Sequence, residues 1–266
     1  MEIKVLVENY ANDENLGSQH GLSLHIKTAN NQILFDMGQD DLLVKNARAM
    51  NINLDKVDMA FVSHGHFDHG SGLWYFMNEN FKAPIYVQKG FFGNYVLRKS
   101  DSDMNIGIAG SVPSERIIEL NGSKKLSENI VLLSNPQGRG FLPNNEGLLV
   151  LKNGEWVDDD FNHEHNLVIS ENGKNVLIHG CAHRGVVNIL NQAIDEFGKI
   201  DVCVGGFHLM NTHAEAYLKE LAAELNKHKT KFYTCHCTGL PQFEILKSIM
   251  GNKIDYIRAG DLLNIE

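Results

Sequence analysis

The sequence lacks the features that define membrane, secreted and fibrous proteins. Its 266 residues contain only five prolines and are 43% hydrophobic, which is the composition of an ordinary globular protein. Apolar runs such as 202–205 are far shorter than the roughly 20 residues that cross a bilayer. The N-terminus enters a strand-like pattern and has no apolar core or small-residue cleavage site of a signal peptide. We therefore expect a cytoplasmic protein without a membrane segment.

Paired cysteines and surplus positive charge are also missing. The four cysteines, Cys181, Cys203, Cys235 and Cys237, all lie in the last third of the chain, which does not suit a disulfide framework and favours reduced thiols. The formal charge of −9 leaves no basic surplus to neutralise a phosphate backbone. We expect a small-molecule substrate and no nucleic-acid partner.

Strand-like segments dominate the first part of the chain, and strands alternate with helices in the last part. Such alternation predicts an α/β fold in which helices cover sheets. An Asn172-Gly173 turn predicts a hairpin, and Gly198 stands where the C-cap of the following helix is expected. The predicted strands are 3–7, 22–27, 33–36, 59–62, 85–88, 130–133, 148–151, 166–170, 176–179, 202–205 and 232–235, and the predicted helices are 41–50, 186–197, 214–228 and 241–250.

The segment 89–160 has weaker periodicity than the rest of the chain. It combines an aromatic cluster, Phe91, Phe92 and Tyr95, with glycine-rich turns. We predict that it is an insertion that faces the substrate. The alternative is that these aromatic side chains pack in a small satellite core under a long loop.

Four potential metal ligands lie within six residues directly after the predicted strand 59–62. They are His64, His66, Asp68 and His69, and one tight turn can bring their side chains together. Neutral imidazole suits zinc or iron, and a carboxylate either ligates or orients a bound water. A solvated polar loop is the simpler alternative, but surface histidines are not usually spaced so closely. The sequence therefore predicts a metal site here.

The spacing His64-x-His66-x-Asp68-His69 resembles the central motif of the metallo-β-lactamase superfamily. The resemblance implies a four-layer αββα sandwich formed as a single domain by residues 1–266. It also implies that His64 and His66 bind one metal ion, and that Asp68 and His69 bind a second. The segment 33–38 looks like the strand and turn that precede this motif in the superfamily, and the supporting aspartate of that turn would be Asp36.

Other motifs resemble a subgroup of the superfamily, the dihydropterin ribofuranosylaminobenzene phosphate synthase-like proteins. These motifs are Glu8-Asn9, 20–23, 163–167, 180–183, 205–209 and 236–239. The superfamily usually has an aspartate after the later hairpin, where some class B lactamases use cysteine, and here Cys181 and His183 are both available. We assign His183 to the first metal ion and His208 to the second. Cys181 is either a bridging thiolate ligand or a small buried hydrophobic residue.

His236 follows another predicted strand and precedes a short polar turn. Backbone N–H groups at the start of the next helix could receive an anionic part of a substrate, with His236 as general acid or hydrogen-bond donor. His236 could also replace His208 as a metal ligand. Glu164, His165 and His20 are either site residues or ordinary loop residues.

These residues predict a metal-dependent hydrolase with two divalent ions, zinc by preference and iron or manganese as alternatives. The metal would activate a water as a hydroxide nucleophile and polarise the bond under attack, and Asp68 would also orient the nucleophile. An ester, amide, thioester or phosphoester of a small substrate, which could be anionic, would be cleaved. The alternatives are a mononuclear non-haem iron oxygenase, because two histidines and one carboxylate also support oxygen chemistry, and a non-catalytic metal sensor.

A flavin-linked diiron oxidoreductase and a nuclease are less favoured. The flavin-linked branch has a motif that resembles His-x-Glu-x-Asp-His, whereas this chain has His66 in place of the glutamate, and we expect no flavin domain. The acidic balance of the chain counts against a nuclease.

Overall fold

The computed structural model describes residues 1–110 and 114–266, which form two compact units. The first unit comprises Met1–Asn121, Asn145–His163 and Arg258–Ile265, and the second comprises Gly122–Asn144, Glu164–Ile257 and Glu266. The predicted insertion 89–160 is thus divided between the two units, and its residues 111–113 lie outside the described residues. Its predicted role in facing the substrate stays a prediction.

Strands and helices are numbered in chain order. The strands in the described residues are β1 (Glu2–Val7), β2 (Ser23–Lys27), β3 (Gln32–Phe35), β4 (Met59–Phe61), β5 (Ile85–Gln88), β6 (Tyr95–Arg98), β7 (Asp103–Asn105), β8 (Ile117–Leu120), β9 (Lys124–Lys125), β10 (Ile130–Ser134), β11 (Leu148–Lys152), β12 (Glu155–Asp158), β13 (His165–Glu171), β14 (Lys174–Ile178), β15 (Val202–Gly205), β16 (Lys231–Thr234), β17 (Ile254–Tyr256) and β18 (Leu262–Asn264). The α-helices are α1 (Leu42–Ala49), α2 (Phe67–Gly70), α3 (Leu73–Glu79), α4 (Val186–Phe197), α5 (Glu215–Asn226) and α6 (Leu240–Met250), and 3₁₀ turns occur at Leu54–Lys56, His236–Thr238 and Gly251–Lys253.

A seven-stranded sheet forms the centre of the first unit, in the order β18-β1-β2-β3-β4-β5-β8. Strands β3, β4, β5 and β8 run parallel to one another, and the other pairs are antiparallel. Helices α1 and α3 contribute Leu43, Ala47 and Phe76 to the buried cluster that covers this sheet. Since β3 and β4 are parallel neighbours, the residues that follow them meet at one edge of the sheet, where open α/β sheets bind ligands.

A smaller four-stranded sheet in the first unit has the order β12-β11-β6-β7. Its core contains Tyr95, Ile106, Leu148, Val150 and Phe161. The Tyr95 hydroxyl donates to the carbonyl oxygen of Gly90 at 2.6 Å, and Phe91 is fully buried in the cluster around the larger sheet. Two of the three aromatic residues of the predicted insertion are therefore core residues of this unit.

The second unit contains another seven-stranded sheet, in the order β17-β16-β15-β14-β13-β10-β9. Strands β14 to β17 are parallel, whereas β9, β10, β13 and β14 pair antiparallel. Helices α4, α5 and α6 bury Leu190, Leu221 and Leu246 in one cluster, and each such side chain contributes about 1.5–3 kcal/mol. The loops after β14, β15 and β16 meet at one edge because these strands are parallel.

Most predicted elements are present, with ends shifted by one or two residues. Helix α4 has the predicted bounds, and the predicted hairpin turn has φ of 51° at Asn172 and 74° at Gly173, as the Asn-Gly turn requires. Strands β6, β7, β8, β9, β12, β17 and β18 and helices α2 and α3 were not predicted, since they are short and carry no clear periodicity. Among the described residues, no helix has the length and apolar character needed to cross a bilayer.

Candidate metal centre

The predicted metal-binding motif lies on the loop after β4 and on the short helix α2. Gly65 in this loop lies close to neighbouring backbone: a Cβ at this position would stand 2.4 Å from the carbonyl oxygen of Phe91. The Phe67 N–H donates to the carbonyl oxygen of Ile106 at 2.8 Å, which fixes the first residue of α2. Any side chain larger than that of glycine at position 65 would therefore displace the loop.

The structure brings the four side chains of the motif together within the first unit. The ring centroid of His64 lies 4.6 Å from that of His66 and 4.2 Å from that of His69. Asp68 Oδ2 lies 3.6 Å from His69 Nε2. All four residues are buried, so the histidines and the carboxylate share one interior site and are not spread over the surface.

Asp36, which follows β3, supports this loop and one of its imidazoles. Its Oδ1 accepts the Ser63 N–H at 2.6 Å, and its Oδ2 accepts the Ser63 hydroxyl at 2.8 Å and lies 2.6 Å from His69 Nδ1. Because a carboxylate only accepts, His69 carries its proton on Nδ1, which leaves the Nε2 lone pair for a metal ion. Asp36 also has a φ of 59°, a left-handed conformation that is uncommon for residues other than glycine. Non-glycine residues in this conformation cluster at functional sites.

The Ser63 hydroxyl extends the same arrangement to a second imidazole. Since it donates to Asp36, it accepts from His64 Nδ1, which lies 2.9 Å away. The proton of His64 is then on Nδ1 and its Nε2 lone pair is available. Two neighbouring histidines are thus held by one buried carboxylate in the tautomer that a metal ion requires.

Burial determines the protonation of His66. It lowers the pKa of His66 to about 3, and His163 adds to this effect while Asp68 and Asp159 oppose it. The imidazole is therefore neutral at neutral pH and can donate its lone pair. Neutral imidazoles with one carboxylate are the donor set of zinc and non-haem iron sites, so the residues of this unit fit a divalent metal ion.

His163 and Asp159 support the motif, and sequence reasoning missed this role. His163 Nδ1 accepts the Gly65 N–H at 2.9 Å, and its Nε2 lies 3.0 Å from Asp159 Oδ2, so Nε2–H donates to the carboxylate. Burial alone would raise the pKa of Asp159, but the hydrogen bond from His163 lowers it overall. The motif 163–167 marked this region, although nothing in it pointed to Gly65.

His20 contacts the motif from the loop between β1 and β2. Its Nε2 lies 3.3 Å from Asp68 Oδ2, and the ring is 48% exposed. Its Nδ1 lies 3.4 Å from Asn9 Nδ2. Of the two roles that the sequence left open for His20, this contact favours that of a site residue.

In the second unit, His183 and His208 lie side by side on loops after β14 and β15. Their ring centroids are 4.2 Å apart. Glu164 positions the first of these loops, because its Oε1 accepts the His183 N–H at 2.8 Å and its Oε2 accepts the Arg184 N–H at 3.1 Å. Glu164 is thus a buried positioning residue of this unit and not a solvated loop residue.

Cys181 and His236 also lie on the loops of this edge. Cys181 is buried and shares a group of candidate ligand atoms with His208 and Cys237. His236 is buried, has a φ of 50° and begins the 3₁₀ turn before α6, which starts at Leu240, one residue earlier than predicted. The fully buried His165 has its pKa lowered by burial to about 3.

The model of the metallo-β-lactamase superfamily matches residues 21–193, more than half of the chain. The chain belongs to this superfamily. The family predicted from the histidine motif is therefore confirmed.

Similarity to individual superfamily members extends over almost the whole chain. The 7,8-dihydropterin-6-methyl-4-(β-D-ribofuranosyl)-aminobenzene-5′-phosphate synthase of Methanocaldococcus jannaschii is 29% identical, over 99% of this chain and 96% of that protein. A solved metal-dependent hydrolase of the β-lactamase superfamily matches with a TM-score of 0.84 and 28% identity, covering 100% of this chain and 99% of that one. Human tRNase Z, short form, matches with a TM-score of 0.54 and 14% identity over the full length of both chains, a likeness of fold alone. The predicted metallo-β-lactamase fold and the resemblance to the synthase subgroup are thus confirmed.

Proposed function

We propose that this superfamily member is a metal-dependent hydrolase that cleaves an ester, amide, thioester or phosphoester bond of a small substrate. The observation that carries the proposal is the buried group of His64, His66, Asp68 and His69, with Asp36 fixing the His69 tautomer at 2.6 Å. Membership of a superfamily of mostly metal-dependent hydrolases supports it. The proposed cofactor is a pair of divalent ions, with zinc the preferred metal.

The residues of the first unit would prepare the site before any substrate binds. Asp36 and Ser63 keep the protons of His64 and His69 on Nδ1, so that Nε2 of each ring is the atom that can ligate a metal ion. Burial lowers the pKa of His66 to about 3, so this imidazole is neutral at neutral pH. A bound divalent metal ion would lower the pKa of water toward neutrality and polarise the bond under attack. Pre-oriented donors of this kind bind a metal ion without a rearrangement of the loop.

We assign Asp68 the further role of accepting a proton from the attacking water. The half-exposed His20, 3.3 Å from Asp68 Oδ2, would exchange this proton with solvent. His236 remains the proposed general acid or hydrogen-bond donor, and its burial in a turn with positive φ supports a fixed orientation. His183 and His208 remain proposed ligands, supported by their adjacent rings.

The test is a substrate screen with metal removed and restored. Protein treated with a chelator should be inactive on generic ester, phosphodiester, thioester and lactam substrates, and zinc, manganese or iron should restore hydrolysis of at least one. Asp68→Asn should abolish this activity, whereas Asp58→Asn, at an exposed carboxylate that accepts the Gln32 N–H, should not. Hydrolysis that persists without metal, or no turnover with any metal, would refute the proposal. Oxygen uptake in place of hydrolysis would favour the iron oxygenase.

A second candidate function rests on the full-length similarity to the M. jannaschii synthase. The chain would then join the methyl carbon of a 6-methyl-substituted dihydropterin to the amine nitrogen of a ribofuranosylaminobenzene phosphate, with loss of a leaving group from the methyl carbon and of a proton from the amine. Incubating the metal-loaded protein with the amine and a dihydropterin that carries a phosphate-ester leaving group on its 6-methyl carbon, and analysing the products by mass spectrometry, tests this. A condensed product would favour the synthase, and unchanged compounds would favour the hydrolase.

A further inference from the structure

Two cysteines and one histidine converge at one edge of the sheet in the second unit. Cys181 follows β14, His208 follows β15 and Cys237 follows β16, and these three strands are parallel neighbours. The two sulfur atoms and one ring nitrogen of His208 all lie within 4.8 Å of one another. The sequence predicts His208 as a ligand and leaves Cys181 as a possible one, whereas it places Cys237 only in the short polar turn after His236.

The position of the Cys237 sulfur is defined by the backbone around it. The His208 N–H donates to Cys237 Sγ at 3.2 Å, and the N–H groups of Leu209 and Met210 both donate to the Cys237 carbonyl oxygen at 2.9 Å. A Cβ on Gly206 would stand 2.4 Å from Cys237 Sγ, so only glycine leaves room for the sulfur. The sulfur is thus held beside His208 by three backbone hydrogen bonds and one glycine.

His208 has a buried ring nitrogen that the described part of the chain leaves without a hydrogen-bond partner, namely Nδ1. A buried polar atom without a partner costs about 1–3 kcal/mol unless something else satisfies it. The backbone of the three loops is also strained, because Ala182, His208 and His236 all have φ between 50° and 56°. Strain of this kind persists at ligand-binding sites, where the surrounding structure holds it in place.

We propose that Cys181, His208 and Cys237 hold one zinc ion of the proposed pair as two thiolates and one imidazole, with the fourth position open to water or to a substrate atom. Soft thiolate donors select zinc over magnesium or manganese, and two cysteines with one histidine form a known catalytic type of zinc site. Zinc binding releases both thiol protons to solvent, including the one that Cys237 Sγ directs at the Cys181 carbonyl oxygen, 3.7 Å away. The inference concerns the donors of the second unit and does not require the hydrolase activity.

X-ray absorption at the zinc edge of the zinc-loaded full chain tests the proposal. The wild-type spectrum should contain a zinc–sulfur shell at about 2.3 Å. Cys237→Ser should reduce the sulfur count from about two to about one per thiolate-bound zinc. Cys203→Ser is the matched control, because Cys203 is a buried thiol of the same unit that contacts His179, and it should leave the shell unchanged. Only nitrogen and oxygen around zinc in the wild type, or the same shell in Cys237→Ser, would overturn the proposal.

A measurement on the wild-type protein decides the matter even if Cys237→Ser does not fold. Cobalt substituted for zinc should produce a thiolate-to-cobalt charge-transfer band with the intensity of two thiolates, and a band of one thiolate or none would overturn the proposal. The proposed function fails separately. If zinc has a sulfur shell but the protein hydrolyses no substrate, the zinc site proposed here stands and the proposed function fails. If the protein is a hydrolase whose zinc has only nitrogen and oxygen ligands, the proposed function stands and this zinc site is refuted.

Discussion

Replacing Asp36 with asparagine tests how the buried carboxylate controls the metal ligands. Three donors converge on Asp36: the Ser63 N–H, the Ser63 hydroxyl and His69 Nδ1–H. An asparagine has one oxygen and one NH₂ group, so its NH₂ group must take the place of one of the two carboxylate oxygens and face the donors there. If the NH₂ group faced the Ser63 N–H, two donors that cannot reorient would oppose each other. The side chain should therefore direct its NH₂ group at His69.

In that orientation, His69 Nδ1 has to accept, and the proton moves to Nε2. Nε2 then carries the proton and can no longer donate a lone pair to the metal ion. Loss of a supporting partner of this kind weakens metal binding by about 10–100-fold, or about 1.4–2.7 kcal/mol. The free energy of unfolding of the metal-free protein should fall by about 1–3 kcal/mol, since a charge-assisted hydrogen bond becomes a neutral one.

Isothermal titration with zinc measures the first effect, and urea unfolding of the chelated protein measures the second. Asp58→Asn is the matched control, because the exposed Asp58 accepts a single backbone N–H, that of Gln32 at 2.8 Å. The control should keep wild-type metal affinity. An Asp36→Asn protein that folds and binds zinc with wild-type affinity would refute the reasoning about the His69 tautomer.

Other changes test the support of the motif and its burial. His163→Ala leaves the Gly65 N–H without its acceptor and should lower the unfolding free energy in urea by about 1–3 kcal/mol, and His163→Gln should recover part of this loss because it can accept that N–H. Gly65→Ala should displace the loop and abolish zinc binding to the first unit, and titration at wild-type affinity would contradict this. Acid should destabilise the metal-free protein as the pH falls from 6.5 to about 4. Burial lowers the pKa of His179 in the folded protein to about 4 and that of His66 to about 3. Between these pH values the two histidines take up protons in the unfolded chain but not in the folded protein, which favours unfolding. Each histidine contributes at most about 1.4 kcal/mol per pH unit, and stability in urea that does not change over this range would contradict the expectation.

The sequence predicted the parts of the fold that depend on local pattern. Apolar spacing identified α4, and the Asn172-Gly173 pair identified the hairpin between β13 and β14. Strand β12 escaped prediction because all four of its residues are exposed, so its sequence does not alternate between apolar and polar residues. Helix α3 spans only seven residues, too few for a helical period to stand out.

Some features of the candidate site could likewise be predicted from local sequence, and others could not. The ligands of the 64–69 motif are close in sequence, so their spacing alone indicated that they converge. The hydrogen bond between Gly65 and His163 joins residues that are 98 positions apart, and no local pattern records it. Cys237 lies beside His208 only because β15 and β16 are parallel neighbours, and the order of strands in a sheet is decided by long-range packing.

The proposed function depends on metal binding by the 64–69 motif of the first unit. The most direct test is elemental analysis of the full chain after zinc loading and removal of free metal, with the wild type compared with His66→Ala and circular dichroism confirming that both are folded. We expect about two equivalents of zinc in the wild type and a loss of at least about one equivalent in His66→Ala. The same zinc content in both folded proteins, or a wild type that retains no metal, would contradict it.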